Sequence, residues 1–142
     1  MPHVPPSDRP PDRFVCRTAY FETAWPQSAT AVVKAHGELD AANGITFVNY
    51  ALRHSATTNW LVVDLSGLSF FSTAGFSALH TLNVRCVGED IRWAVVPGKA
   101  VRRVLKICDP DSALPICADI SDALTAVQQE PPQSFQLIPQ TS

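Results

Sequence analysis

The chain has 142 residues, of which 46% are hydrophobic and 17% are charged, and its formal net charge is −2. This balance is typical of one globular domain with its own core and argues against a disordered chain. The charge gives no reason to expect nucleic acid or a membrane as a partner, no apolar run reaches the ~20 residues of a transmembrane helix, and no signal peptide is visible. We therefore expect a cytoplasmic protein.

Proline clusters mark both ends of the chain. Of the 12 prolines, five lie in residues 1–13 and three lie in residues 130–142. Because proline fixes φ and lacks an N–H group, such clusters favour extended, unpacked chain. The sequence therefore predicts flexible tails at 1–13 and 130–142 around a folded unit at 14–129.

The folded unit is predicted to open with a β-hairpin. Residues 14–24 and 28–36 are rich in β-branched and aromatic residues, and Trp25-Pro26-Gln27 between them suits a turn. Asp40 is a good N-cap for a helix over 41–54. The apolar residues of that helix that we expect to face inward are Ile45, Val48, Tyr50 and Leu52.

Strands and helices alternate in the remainder. Residues 60–65 form an apolar run typical of a central strand, and a loop then leads to a helix over 74–87 with Ser72 or Thr73 as N-cap. The further predicted elements are a strand at 91–96, an amphipathic helix at 99–108, a short strand at 114–117, and a helix from Asp119 or Ser121 to about Gln129. The order ββαβαβαβα predicts an α/β fold with a mixed, mostly parallel sheet and helices packed on it.

Several of these segments resemble the STAS domain. They are Gly37-Glu38-Leu39-Asp40, the strand and following residues 61–68, the loop 70–76, and Val95-Val96-Pro97 with the helix start at 100–105. The resemblance extends over about 28–127, and it depends on the order and spacing of the segments together. STAS domains occur in bacterial anti-sigma factor antagonists and as the cytoplasmic tails of sulfate transporters.

The resemblance implies a regulatory binding protein and not an enzyme. Bacterial antagonists of this family bind an anti-sigma factor, often a serine kinase of the GHKL type, and thereby free a sigma factor. The kinase phosphorylates a Ser or Thr at the start of the helix after the third strand, and the phosphorylated form dissociates. A phosphatase then restores the antagonist, and no cofactor is implied.

By position in the family motif, Thr73 is the phosphoacceptor. The family loop usually has Asp-Ser-Ser/Thr-Gly, whereas this chain has Ser72-Thr73-Ala74-Gly75. Three alternatives remain open: phosphorylation of Thr73, phosphorylation of Ser72, or a silent switch in which both residues only cap the helix. The implied partner-binding residues are Asp40, Phe71, Ser72, Thr73, Ala74, Gly75 and Phe76. Asp64, like Asp40, also suits plain capping of a turn.

A basic stripe supports an alternative function. Lys99, Arg102, Arg103 and Lys106 share a face of one predicted helix. Such a stripe is usually a solvated surface, but it suits an acidic partner, a phosphate or a nucleotide. The alternative is a ligand- or nucleotide-sensing STAS domain that signals to a partner protein. An enzyme is a weaker third hypothesis, because no catalytic constellation or phosphate-binding loop is present.

The cysteines have no spacing typical of a metal site. They are Cys16, Cys86, Cys108 and Cys117. Free buried thiols are the simplest interpretation for a cytoplasmic chain. The more specific hypothesis is that Cys108 and Cys117, which flank one loop, form a redox-sensitive pair. We expect no metal.

Overall fold

Segments rich in β-branched and aromatic residues form one sheet, and the helices between them pack on it. The computed structural model describes residues 12–129. The strands are β1 (Asp12–Cys16), β2 (Ala19–Gln27), β3 (Thr30–Leu39), β4 (Trp60–Phe71) and β5 (Arg92–Val96). The helices are α1 (Gly44–Ala51), α2 (Thr73–Gly88), α3 (Gly98–Cys108) and α4 (Ile120–Gln128), with a 3₁₀ turn at Ser55–Thr57. The predicted tails at 1–13 and 130–142 lie outside the described residues, apart from residues 12 and 13, which belong to β1.

The five strands lie in chain order across the sheet. The pairs β1–β2 and β2–β3 are antiparallel, whereas β3–β4 and β4–β5 are parallel. The mixed sheet with packed helices confirms the predicted fold class. The predicted strand at 114–117 is reduced to one parallel bridge between Ile116 and Val95, next to Pro115, which has no N–H to donate.

The predicted first strand at 14–24 is in fact two strands. The chain turns at Arg17-Thr18, where Arg17 has a φ of +56°, and Cys16 pairs with Ala19 across the turn. The prediction was wrong because this turn has neither glycine nor proline, the usual signals of a tight hairpin.

The predicted turn at Trp25-Pro26-Gln27 was also wrong, since these residues lie in β2. The pairing with β3 shifts register between Ala24 and Gln27, and this irregularity accommodates Pro26 within a strand. The turn lies instead at Ser28-Ala29, before β3 begins.

Helices cover both faces of the sheet. The larger core lies beneath α1, α2 and α3, and its fully buried side chains include Phe21, Phe47 and Leu79. On the opposite face, α4 packs Ala123 and Val127 against strand residues such as Val62. In α3, which was predicted as an amphipathic helix, the apolar residues Val101 and Leu105 are buried.

One residue that was predicted to face inward points outward. Ile45 in α1 is 61% exposed. The other three predicted residues, Val48, Tyr50 and Leu52, are buried. They are joined on the inward side of α1 by Gly44, Phe47 and Ala51. The helix starts at Gly44 and not at 41, because residues 40–43 form a separate turn.

The predicted loop at 66–71 continues β4. Its backbone remains paired with β3 as far as the Leu39–Phe71 pair, through two register shifts. The polar residues Ser66 and Ser69 in this stretch are exposed. Backbone pairing therefore extends the strand although the sequence looks like a loop.

Gly37 provides a test of the hairpin packing. It has a φ of +94°, and a Cβ there would collide with the Thr18 carbonyl oxygen. We expect Gly37→Ala to lower the free energy of unfolding by roughly 1–3 kcal/mol in urea denaturation. The control is Gly88→Ala, where a Cβ would meet nothing within 4 Å, and which should be neutral or stabilise by up to about 1 kcal/mol. Equal effects of the two substitutions would contradict this account.

Candidate functional site

The carboxyl ends of β3 and β4 bring the turn at Asp40 beside the start of α2. Leu39 pairs with Phe71, and the Ser72 backbone N–H donates to the Leu39 carbonyl at 3.1 Å. The chain after β3 enters α1, and the chain after β4 enters α2. The topology thus places the two predicted parts of the site next to each other.

The structure separates the roles of the two candidate acceptors. The Ser72 hydroxyl oxygen accepts from the Gly75 backbone N–H at 3.2 Å, so Ser72 is the N-cap, and it is half-buried. Thr73 is the first residue of α2 and is exposed. The first turn of this 16-residue helix has no acidic side chain to balance the positive end of the helix dipole. Thr73 is therefore the more accessible hydroxyl, in a position that favours a bound anion.

Two of the residues that were predicted to contact a partner, Phe71 and Gly75, are buried. Phe71 is only 4% exposed and belongs to the core. A Cβ on Gly75 would lie 2.7 Å from a carbon of the Phe71 ring and 3.2 Å from the Leu39 carbonyl oxygen. The expectation that Phe71 contacts a partner was wrong, because the ring packs against α2 from inside. Phe76 is half-buried against the same core.

A groove of about 230 Å³ lies between α1 and α2, and on α2 its lining starts at Ala74, the residue that follows Thr73. Its lining includes Asp40, Ile45, Ala74 and Ser77. The helices approach closely at Gly44, where a Cβ would lie 3.3 Å from the Ala78 Cβ. Ile45 gives the groove an exposed apolar rim. The sequence predicted Ile45 in the core, although the helical spacing of Gly44, Phe47, Val48 and Ala51 leaves Ile45 on the outer side of α1.

Asp40 shapes the turn that precedes α1. Its carboxylate accepts from the Ala42 N–H at 2.9 Å, and its own N–H donates to the Asn43 side-chain oxygen at 2.9 Å. Asn43 is the residue at the N-cap position, so the prediction that Asp40 caps the helix directly was wrong by three residues. Asp40 remains half-exposed at the groove. Asp64 lies within β4 and not at a turn, and its carboxylate accepts from the N–H and hydroxyl of Ser66 at 3.0 and 2.7 Å.

The basic stripe lies elsewhere. Its four side chains, on α3, are all exposed, and none lines the groove beside Thr73. Arg102 and Lys106 line a second groove instead.

The cysteines are all free thiols in the structure. Cys117 packs against the smaller core beneath α4, whereas Cys108 ends α3. Burial, together with the carboxylates of Asp122 and Asp119, raises the pKa of Cys117. A raised pKa lowers the thiolate fraction and so works against easy oxidation. The redox pair stays a prediction. Within residues 12–129, no cluster of three or more His, Cys, Asp or Glu side chains is arranged to hold a metal.

Comparison with known proteins identifies the family. Residues 22–123 match the STAS domain. The chain belongs to the STAS domain family. Osmosensory protein A of Mycobacterium tuberculosis is 39% identical over 97 residues, which cover 66% of this chain and 61% of that relative. The chain thus matches about three fifths of the length of that protein.

Two further proteins are similar to this chain along most of their length. Anti-sigma-F factor antagonist RsfA of Mycobacterium tuberculosis is 32% identical over 103 residues, which cover 69% of this chain and 80% of that protein. A crystal structure of an anti-sigma factor antagonist from Mycobacterium paratuberculosis has a TM-score of 0.65 at 27% identity, and the match covers 77% of this chain and 95% of the other. Within the described STAS domain, no helix has the length and hydropathy needed to cross a bilayer.

The division of roles at the start of α2 can be tested by stability measurements. We expect Ser72→Ala to lower the free energy of unfolding by about 0.5–2 kcal/mol, because the substitution removes the cap. Thr73→Ala should change it by less than about 0.5 kcal/mol, since Thr73 is exposed. Urea denaturation of both variants would contradict the assignment if Thr73→Ala were the more damaging.

Because the Cys86 thiol is buried, we expect the free energy of unfolding to fall in alkaline solution. Burial in α2, reinforced by the carboxylate of Glu89, raises the pKa of the Cys86 thiol to about 12 from an ordinary value of 9.0, and Arg85 opposes this shift. The neutral thiol therefore contributes stability below about pH 9, and that contribution is lost as pH rises towards 12, where the unfolded chain ionises first. Denaturation between pH 8 and 11 should show a smaller decline for Cys86→Ala than for the unsubstituted chain. An identical decline in the free energy of unfolding of both proteins would contradict this role of Cys86.

Proposed function

We propose that this STAS domain is an anti-sigma factor antagonist. It acts as a regulatory, non-enzymatic protein that binds an anti-sigma factor through the surface around the start of α2. The observation that carries the proposal is the exposed Thr73 beside a capped helix start and a groove. The similarity to two proteins named as anti-sigma factor antagonists supports it. A cytoplasmic location follows from this role.

Phosphorylation of Thr73 supplies the proposed switch. A GHKL-type serine kinase, as the anti-sigma partner, transfers the γ-phosphoryl group of ATP to the Thr73 hydroxyl. The bond between the γ-phosphorus and the β–γ bridging oxygen breaks, ADP leaves, and the hydroxyl loses its proton. Free N–H groups and the positive dipole at the start of α2 stabilise the resulting phosphate. A phosphatase hydrolyses the phosphate and returns the protein to its binding form.

The added charge explains why binding would end. The unmodified surface around Thr73 offers the apolar side chains of Ile45 and Ala74 together with one carboxylate, Asp40. A phosphothreonine adds about −1.5 to −2 charges at neutral pH. A partner that fits the unmodified surface would have to desolvate that charge, and any acidic group of the partner would be repelled. No change of fold is needed.

Thr73 fits this role better than Ser72. The Ser72 oxygen is already the acceptor of the cap hydrogen bond from Gly75. A phosphoryl group on that oxygen would disturb the cap and with it the start of the helix. The same group on Thr73 leaves the cap in place.

A pair of substitutions at position 73 tests the switch. Purified chain and variants would be mixed with a GHKL-type anti-sigma factor of the host, and affinity would be measured by isothermal titration calorimetry. We expect Thr73→Glu to weaken binding at least about tenfold, equivalent to about 1.4 kcal/mol. Thr73→Val keeps the shape and adds no charge, so it should bind like the unsubstituted chain.

Phosphorylation needs its own readout. With ATP and the kinase, mass spectrometry should find one phosphoryl group on the unsubstituted chain and none on Thr73→Val. Equal binding by Thr73→Glu and the unsubstituted chain would remove the switch from the proposal. Modification of Ser72 in place of Thr73 would overturn the choice of acceptor. If a host lysate yields no anti-sigma factor with either form, the antagonist role itself fails.

A further inference from the structure

A second groove lies along α3, on a part of the fold that the antagonist role does not use. Its volume is about 360 Å³, and α3 forms one wall with Arg102, Leu105 and Lys106. The other wall comes from the turn after α3 and from Ile116. This groove shares no lining residue with the one between α1 and α2.

The lining of the second groove carries two cations, Arg102 and Lys106, and one carboxylate, Asp109. Arg102 and Lys106 are exposed, stand one helical turn apart, and form no salt bridge within residues 12–129. The acidic residue of the lining, Asp109, is 8% exposed. Its two carboxylate oxygens accept from the backbone N–H groups of Ala113 and Leu114 at 2.8 and 3.2 Å. Asp109 therefore holds its own turn, and among the described residues it forms no salt bridge with Arg102 or Lys106.

The floor of the same groove is apolar. Leu105 is 6% exposed and belongs to the core, and Ile116 is half-buried against that core. Residues four apart on a helix are neighbours, so one anionic group can contact both cationic side chains. The Arg102 guanidinium can pair with two oxygens of a phosphate or carboxylate at once. An apolar floor beneath a cationic rim complements an amphiphilic anion.

We propose that this groove binds a small organic anion. Its phosphate or carboxylate lies between Arg102 and Lys106, and its apolar part lies on Leu105 and Ile116. The volume falls at the lower end of the range for small-molecule pockets, which suits a compact ligand better than an extended acidic protein segment. This inference is independent of the proposed antagonist role.

Arg103 provides a matched control. It is also exposed on α3 and precedes Lys106, but it does not line the groove. Arg102→Glu and Arg103→Glu change the net charge by the same amount, one residue apart. If the anion binds in the groove, Arg102→Glu weakens binding more than Arg103→Glu does. If it is only attracted to a basic helix, the two substitutions weaken binding equally.

The experiment is an NMR titration of the full chain with hexyl phosphate, hexanoate, inorganic phosphate and hexanol. We expect saturable shifts of amide signals from residues 102–116 with hexyl phosphate or hexanoate, weaker binding of inorganic phosphate, and none of hexanol. The stronger of the first two probes identifies the anionic group. Arg102→Glu should weaken its binding about tenfold, whereas Arg103→Glu should change it by less than about twofold.

Three outcomes would overturn the proposal. The first is an equal loss of binding in both variants, which would indicate diffuse electrostatics. The second is the absence of saturable shifts at 102–116 up to ~10 mM of hexyl phosphate and of hexanoate. The third is tighter binding of a hexaglutamate peptide that both variants weaken equally, which would assign the face to an acidic protein segment. Because both arginines are exposed, each variant should keep the amide signal dispersion of the unsubstituted chain.

Discussion

The parallel pairing of β3 and β4 at their carboxyl ends is the contact on which the rest of the site depends. The Leu39 carbonyl accepts from the Ser72 N–H, and it also lies close to Gly75. One backbone oxygen therefore fixes both the end of β4 and the position of the first turn of α2. The glycine is required because any side chain there would meet the Phe71 ring. The exposure of Thr73 and the groove beside it follow from this packing.

Much of the fold could be predicted because its strongest signals are local. The apolar run at 60–65 indicated β4, a strand with a neighbour on each side, and the amphipathic pattern at 99–108 indicated α3, where Val101 and Leu105 face inward. Other features depend on contacts between distant residues. The extension of β4 beyond Leu65 is held by pairing with β3, and residues 66–71 carry no strong strand signal of their own. The turn at Arg17-Thr18 likewise has a positive φ at Arg17, and arginine is not a residue type that indicates such a turn.

The candidate site was predictable as a location and less so in its details. The βα topology implied that the turn at Asp40 and the start of α2 would lie at the same edge of the sheet, because parallel strands end on the same side. The topology did not reveal how far each aromatic side chain near the site is exposed, and the Phe71 ring is buried. The basic stripe shows the same limit. Periodicity groups four cations on α3, but the wall that selects Arg102 and Lys106 comes from a segment with little regular structure.

The N-cap of α2 also affects how this protein can evolve. Ser72 holds the helix start, and the neighbouring Thr73 carries the accessible hydroxyl. Under the proposed switch, selection for folding acts on the first position and selection for control acts on the second. A lineage can therefore lose or regain control by changing Thr73 alone, without a compensating change elsewhere in the domain. Folding depends on Ser72 and the proposed control depends on Thr73, so that a substitution at one of these adjacent positions can change one property without the other.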